Sequence, residues 1–450
     1  MDSIPKIHPS SSMNLVGGIY YQTRCMSAIM RRVLLDAGPI VHFAGSNGLY
    51  GAEMCDIEQQ VMAAGNAIII EDGLIKCLME SAVAEDEFQS TYEDTEVYSL
   101  QGSAVIPGLV DAHTHLLWAG DRSQEVRWKQ AGVSYADIAE RGGGIGYTVR
   151  ATRAASSEEL AIDGISRMES ALANGTTHLE AKSGYGLDTE TECRLIEIMD
   201  RLSNHHNLPS LDITWLGAHD IAPGMQQSEY VEQILSEQLP AIIDQGLARS
   251  ADVFCEPGWF SCEESEDILR AARAGGLDLR MHIDEFKDGG GGQLAAELKV
   301  ESADHAHYTS SQSRAQMHEA NVNTGFLPGT PYSQGEKNWP PFQQYIDDSW
   351  RWSFASDFNP NCQTLSLPFL ASVLVQRVGI DPLATLAAAT CNPAQTTPHP
   401  SGKPHGVIDK GAVANLNILE GENWENWCLR PGHSPFAATM LEGVMISHNS

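Results

Sequence analysis

The chain has 450 residues, 42% of them hydrophobic and 19% charged, with 28 basic against 59 acidic side chains and a formal charge of −31. That length supports a large core with additions, and the acidic field repels a phosphate backbone, which argues against nucleic acid as a partner. No apolar run approaches the roughly 20 residues of a membrane span, the opening lacks the pattern of a secretory signal, and nine scattered cysteines without a C-x-x-C pair read as reduced thiols in a cytoplasmic protein.

In chain order, residues 15–103 carry short strand-like pieces such as NAIIIEDGLIKCLM. From residue 104 onward, β-rich runs alternate with helical patterns. The runs are AVIPGLVDAHTH (104–115), TTHLEAKSGYG (176–186), LDITWLGAH (211–219), SADVFCEPG (250–258), LDLRMHIDEF (277–286), SADHAHY (302–308), VNTGFLPGT (322–330) and WSFASDFNP (352–360). Between them, SSEELAIDGISRMESALANG starts with Ser and acidic residues and stops at Gly175, and DTETECRLIEIMDRLSNHH is of the same kind. Eight strand-then-helix units predict a (β/α)8 barrel of the TIM type, with its active site at the carboxyl ends of the strands. A doubly wound open sheet alternates in the same way. Closure is favoured because it brings the polar ends of distant runs to one mouth. GVIDKGAVANLNIL and ATMLEGVMIS, late in the chain, resemble the first hundred residues in style. The two ends are therefore expected to form one small β-sandwich domain, from residues 1–106 and 401–450, around a hydrolase barrel at 107–400.

The polar ends define the candidate chemistry. His113 and His115 end the first run, Tyr185 the second, His219 the third, His282 and Glu285 the fifth and Asp357 the eighth, while His305 sits in the sixth. Residues two apart in a strand point the same way. Two adjacent buried imidazoles need partners for their nitrogens, which a divalent metal or a hydrogen-bonded core supplies. Adding His282 and Asp357 gives three imidazoles and one carboxylate, with a position left for water. Arg122, just past the first run, could hold a carboxylate through two parallel hydrogen bonds, which an anionic ligand would need on so acidic a protein. The glycine runs RGGGIG (141–146) and DGGGG (288–292) match no phosphate-loop spacing and read as flexible loops near the barrel mouth. His307 reads as a core neighbour of His305.

The stretches VDAHTHLLWAGDR, GGGIGYTVRATR, EAKSGYGLDTETE, LGAHDIAPG, DVFCEPGWF, HIDE, SADHAHY and DFNPN, in that order between about residues 105 and 395, resemble the amidohydrolase superfamily. More narrowly they resemble its imidazolonepropionase family, which acts in histidine degradation. That resemblance implies a single zinc or iron ion on His113, His115, His282 and Asp357. It implies a small-molecule substrate, 4-imidazolone-5-propanoate, which gains water to give N-formimidoyl-L-glutamate. It also implies substrate contacts at Arg122, Tyr185, His219, Glu285 and Asn359, His305 beside the reacting carbon, and a homodimer. Asp357 or His305 would take a proton from the water, and Glu285 would give one to a ring nitrogen. Lys182 in EAKSGYG resembles the metal-bridging lysine of other superfamily members, but the resemblance implies one metal and hence no bridging role. Bacterial members with DFNPG contact substrate after the proline; here DFNPN is followed by Cys362, so a backbone contact at Asn361 stays open and a hydroxyl contact at Cys362 is lost. The alternatives are a cytosine- or guanine-type deaminase on the same metal site, and a metal-binding scaffold without catalysis.

Overall fold

The computed structural model describes residues 13–16, 19–22, 30–88, 95–133 and 135–448. Eight parallel strands lie side by side in sequence order: β1 (Leu109–Thr114), β2 (Thr176–Lys182), β3 (Ser210–Ala218), β4 (Ser250–Cys255), β5 (Asp278–Ile283), β6 (Ser302–His305), β7 (Asn323–Phe326) and β8 (Trp352–Phe354). Each lies within one of the eight runs except β3, which starts one residue ahead of its run, at Ser210. The seam between β1 and β8 is closed by hydrogen bonds from Asp357 N–H to His113 O (3.0 Å) and from His115 N–H to Phe358 O (2.8 Å). Lower down, the carbonyls of Ala388 and Ala389 accept from Phe354 and Val110. Asp111 adds a carboxylate that accepts from Ser356 N–H at 2.9 Å.

The strands are apolar outward and polar inward. Leu179, Ala181, Leu211, Ile213, Trp215, Ala251, Val253, Leu279 and Met281 join the cluster under the helices. Between them Glu180, Lys182, Asp212, Asp252, Arg280 and Asp304 are buried inside the barrel. These charges are paired: Lys182 Nζ lies 2.8 Å from both Glu180 and Asp252, and Arg280 pairs with Asp212 at 3.3 Å. Uncompensated charges there would each cost several kcal/mol. The helices are set by local signals. Ser156 caps Ser157–Ala173 in a reciprocal box with Glu159, and Asp188 caps Thr189–Ser203.

The ends of the chain build two further sheets. A six-stranded sheet runs in the order 444–447, 436–441, 416–419, 105–107, 40–41, 61–62, three C-terminal strands beside three N-terminal ones joined where 416–419 pairs with 105–107. A four-stranded sheet orders 74–80, 66–71, 31–37, 95–99. They share one apolar cluster that includes Leu34, Ile68, Ile70, Val105, Ile106, Leu416 and Met440. NAIIIEDGLIKCLM is a hairpin turning at Asp72-Gly73, and Phe436–Leu441 turns into Val444–Ser447 at Glu442-Gly443; all four turn residues have positive φ.

Two readings change. The run 104–115 is two strands: Val105–Pro107 lies in the six-stranded sheet, and β1 begins at Leu109. Gly108 makes the crossing because a Cβ there would lie 2.3 Å from Thr177 Oγ1. The two glycine runs are not simple loops, because each opens a helix, Gly144–Ala154 and Gly291–Leu298. Glu125 accepts from Gly144 N–H at 2.8 Å, and Asp284 from Gly289 N–H at 2.9 Å. Among the described residues, no helix is long and apolar enough to cross a membrane.

Candidate metal centre and active site

At the carboxyl ends of the strands, two overlapping sets of side chains bring their ligand atoms together. One is His113, His282 and His305; the other is His113, His115 and Asp357. All five residues are buried. The His113 ring centroid lies 4.4 Å from His282 and 5.4 Å from His115. Asp357 Oδ1 lies 3.7 Å from His113 Nε2 and 3.5 Å from His115 Nε2.

Carboxylates behind the rings fix which nitrogen faces the centre. His113 Nδ1–H donates to Asp304 at 2.7 Å, and His282 Nδ1–H donates to Asp252 at 3.0 Å. Their Nε2 atoms are buried without a hydrogen-bond partner. Each neutral ring therefore points a lone pair inward, the arrangement a metal-ligating histidine adopts. Burial, reinforced by the neighbouring cations Lys182 and the other imidazoles, holds His113 and His115 well below the usual imidazole range. Thr330 Oγ1 donates to Asp357 Oδ2 and leaves Oδ1 facing the histidines. Orphaned inward lone pairs and a carboxylate fit a transition ion. Asp252 and Glu180 raise Lys182 against its burial, and its ammonium is tied to the Asp252 that orients His282.

Beside these residues, Glu285, His305, His307, Thr330 and Gln334 line a cleft of about 270 Å³. Glu285 Oε2 is 3.6 Å from His305 Nε2. Burial, then Asp357 and Glu256, raises the Glu285 carboxyl well above its usual range, while burial pushes His305 down to about 3. His305 and Asp357 take left-handed backbone, with φ of 65° and 50°. Strain of this kind gathers where a side chain must be aimed.

The remaining expected residues divide into two groups. His219 stacks on His115 with centroids 4.8 Å apart, and Tyr185 lies 5.1 Å from His219 and 5.6 Å from His115. His219 Nδ1–H donates to Gly184 O at 2.9 Å, so its Nε2 is an acceptor. The other three are engaged in loops. Arg122 is buried and grips Glu125 through Nε and Nη2, both at 2.8 Å. Asn359 spends its amide on its own turn, donating to Asp357 O at 2.7 Å and accepting from Asn361 N–H at 2.7 Å. Asn361 accepts from Lys129 at 3.1 Å. Cys362 is buried in the same loop, its thiol pushed up to about 12 by burial.

Sequence reasoning missed the supporting carboxylates. Asp252 and Asp304 sit at inward positions of β4 and β6, and Glu256 accepts from the N–H groups of Glu285 (2.8 Å), Phe286 (3.3 Å) and Lys287 (3.1 Å). The available signal was an acid at an inward strand position, which shows only once the barrel is closed.

No family model matches the chain. Its fold is similar to that of solved structures: an ochratoxinase of A. niger (TM-score 0.65, 16% identity, 94% of this chain and 96% of that one) and a zinc-bound adenosine deaminase of Xanthomonas campestris (TM-score 0.64, 17% identity, 92% of each chain). At these identities the likeness shows the fold alone, a barrel of eight parallel strands. Curated relatives narrow this. The imidazolonepropionase of Symbiobacterium thermophilum is 39% identical over 394 residues, covering 86% of this chain and 90% of its own length; that of Haloarcula marismortui is 35% identical over 381 residues, covering 85% and 90%. The chain belongs to the imidazolonepropionase family.

Proposed function

We infer that the chain opens 4-imidazolone-5-propanoate by adding water across its cyclic amide C–N bond, giving N-formimidoyl-L-glutamate in histidine degradation. The observation that carries this reading is the convergence of three inward imidazoles and Asp357 beside Glu285, in a chain 34–39% identical to imidazolonepropionases.

One zinc or iron ion held by His113, His115, His282 and Asp357 would lower the pKa of a bound water to roughly 7 and polarise the ring carbonyl. His305, which clusters with His113 and His282, is assigned to the reaction rather than to the ion because its Nε2 lies 3.6 Å from Glu285 Oε2. Held neutral by burial, it can accept a hydrogen bond or a proton beside the attacked carbon. The same burial and Asp357 raise the Glu285 carboxyl well above its usual range, which favours the protonated form that can give the leaving ring nitrogen its proton. Arg122, locked by Glu125, presents a fixed cation to the propionate. Tyr185 and His219 flank His115 and bound the space for the ring. The Asn359 amide shapes the turn behind Asp357, and the contact to substrate in that loop is assigned to its backbone.

Purified protein incubated with imidazolonepropionate should remove the substrate's ultraviolet band and yield N-formimidoyl-L-glutamate without free ammonia. Ammonia release from cytosine or guanine, with imidazolonepropionate untouched, would replace this reading with a deaminase.

A further inference from the structure

Cys255 ends β4 and Cys262 opens the helix Cys262–Ala274. Their sulfurs are 3.8 Å apart. Cys255 is buried on the outward, helix-facing side of its strand, and Cys262 is half-buried. The pair is joined to the segment 284–291, which carries Glu285, at three points. Glu256, next to Cys255, accepts the N–H groups of Glu285, Phe286 and Lys287. Trp259, between the cysteines, stacks on Phe286 with centroids 5.6 Å apart. Cys262 Sγ–H donates to Gly289 O at 3.3 Å.

The two thiols are chemically unequal. The hydrogen bond between them lowers Cys262 and raises Cys255, against burial and the acids Asp284, Glu297 and Asp288, which oppose the shift at Cys262. Cys262 also sits at the first position of a helix, where the N-terminal dipole favours a thiolate. A thiolate that is half-buried beside a second thiol has the features of a reactive cysteine with its resolving partner.

We propose that Cys255 and Cys262 form a peroxide-sensitive dithiol whose closure to a disulfide shifts the Glu285 segment and lowers turnover. The Cys262 thiolate attacks the O–O bond of a hydroperoxide, gives sulfenic acid and releases the alcohol or water. The Cys255 thiol then attacks that sulfur, forms the S–S bond and releases water. A disulfide is about 2.05 Å long, so the sulfurs must close by well over an ångström. Cys255 is held in register opposite Ile283, so Cys262 and the turn 256–261 must move. That movement breaks the contact to Gly289 and displaces Glu256 and Trp259. The effect on turnover rests on the role given to Glu285 above; the formation of the bond does not.

The test treats metal-loaded protein with hydrogen peroxide, maps cross-links by mass spectrometry, and follows turnover and amide hydrogen exchange. The expected result is a Cys255–Cys262 cross-link, faster exchange across 284–291, and a loss of turnover of about tenfold or more that dithiothreitol reverses. Cys262→Ser and Cys262→Ala should each keep full turnover in peroxide. The proposal is overturned if other cysteines oxidise while this pair stays reduced, if the cross-link leaves turnover and exchange unchanged, or if both variants lose activity to peroxide as the parent does. A reduced protein that never opens the imidazolone ring would sink the functional reading alone, because cross-link and exchange still decide the dithiol.

Discussion

Both ends of the barrel hold imidazole triads at similar spacing, the one at the mouth being part of a larger cluster with His219 and His305. At the mouth, His113, His115 and His282 have ring centroids 4.4 to 5.6 Å apart. At the base, His178, His399 and His405 have centroids 4.8 to 5.9 Å apart. Among the described residues, only the mouth brings ligand atoms to one point. The difference lies in what stands behind the rings. At the mouth, Asp304 and Asp252 turn two rings by their Nδ1 atoms, which leaves the buried Nε2 atoms without a hydrogen-bond partner and sets that of His113 3.7 Å from Asp357. At the base the rings hydrogen-bond neutral groups, Ser210 Oγ, Ser401 N–H and the Thr397 carbonyl, and one carboxylate, Glu442, lies 3.6 Å from His399 Nε2 with its own side chain more than half exposed. Arg249 and Arg280 also bias His178 against a further positive charge. Imidazole count alone does not make a metal site; orienting carboxylates and a negative ligand do.

That contrast can be broken at the mouth first. His115→Ala should abolish metal retention and cut turnover by about 10³-fold or more, read by elemental analysis and the ultraviolet assay. Glu285→Gln should lower kcat by about 10²- to 10⁴-fold with the metal still bound; lost metal instead would make Glu285 a structural residue. Asp304→Asn keeps the shape behind His113 but weakens the acceptor. It should reduce metal affinity by about 10- to 100-fold, with activity restored by added metal.

At the base the expected effect is on stability, not metal. Burial, helped by His399, holds His405 down to about 4 against 6.5 for the free side chain. The unfolded chain therefore takes up the proton first. Native stability is full above pH 6.5 and declines as pH falls from there toward 4. By pH 5 this one group costs about 2 kcal/mol. His405→Gln should leave metal content and kcat at pH 7.5 unchanged and make the loss of urea stability between pH 7.5 and 5 shallower. An unchanged slope would mean that His405 binds its proton equally well in the folded and unfolded chain.

The barrel was legible because each strand is a short run with its own turn signals, and because two histidines at a spacing of two must share a face. Closure was legible only through the strand-end residues, since alternation fits an open sheet equally well. The break at Gly108 was not legible: Pro107 and Leu109 are both apolar, and only the approach of Thr177 shows why the strand divides. Asp252 and Asp304 escaped notice because Asp252 acts on a histidine of the neighbouring strand β5 and Asp304 on one of β1, across the barrel, and neither pairing shows in the sequence. Arg122 and Asn359 were read from their chemistry alone, and Glu125, a residue three positions away, and the 359–362 turn turned out to hold them.

The central claim is that the mouth histidines and Asp357 hold the ion on which ring opening depends. The most direct measurement is transition-metal content against turnover of imidazolonepropionate in one preparation, titrated with chelator and then with zinc or iron. Activity should fall in proportion to metal removed, from roughly one ion per chain, and return when the ion is restored. Full turnover in protein stripped of transition metals would contradict it.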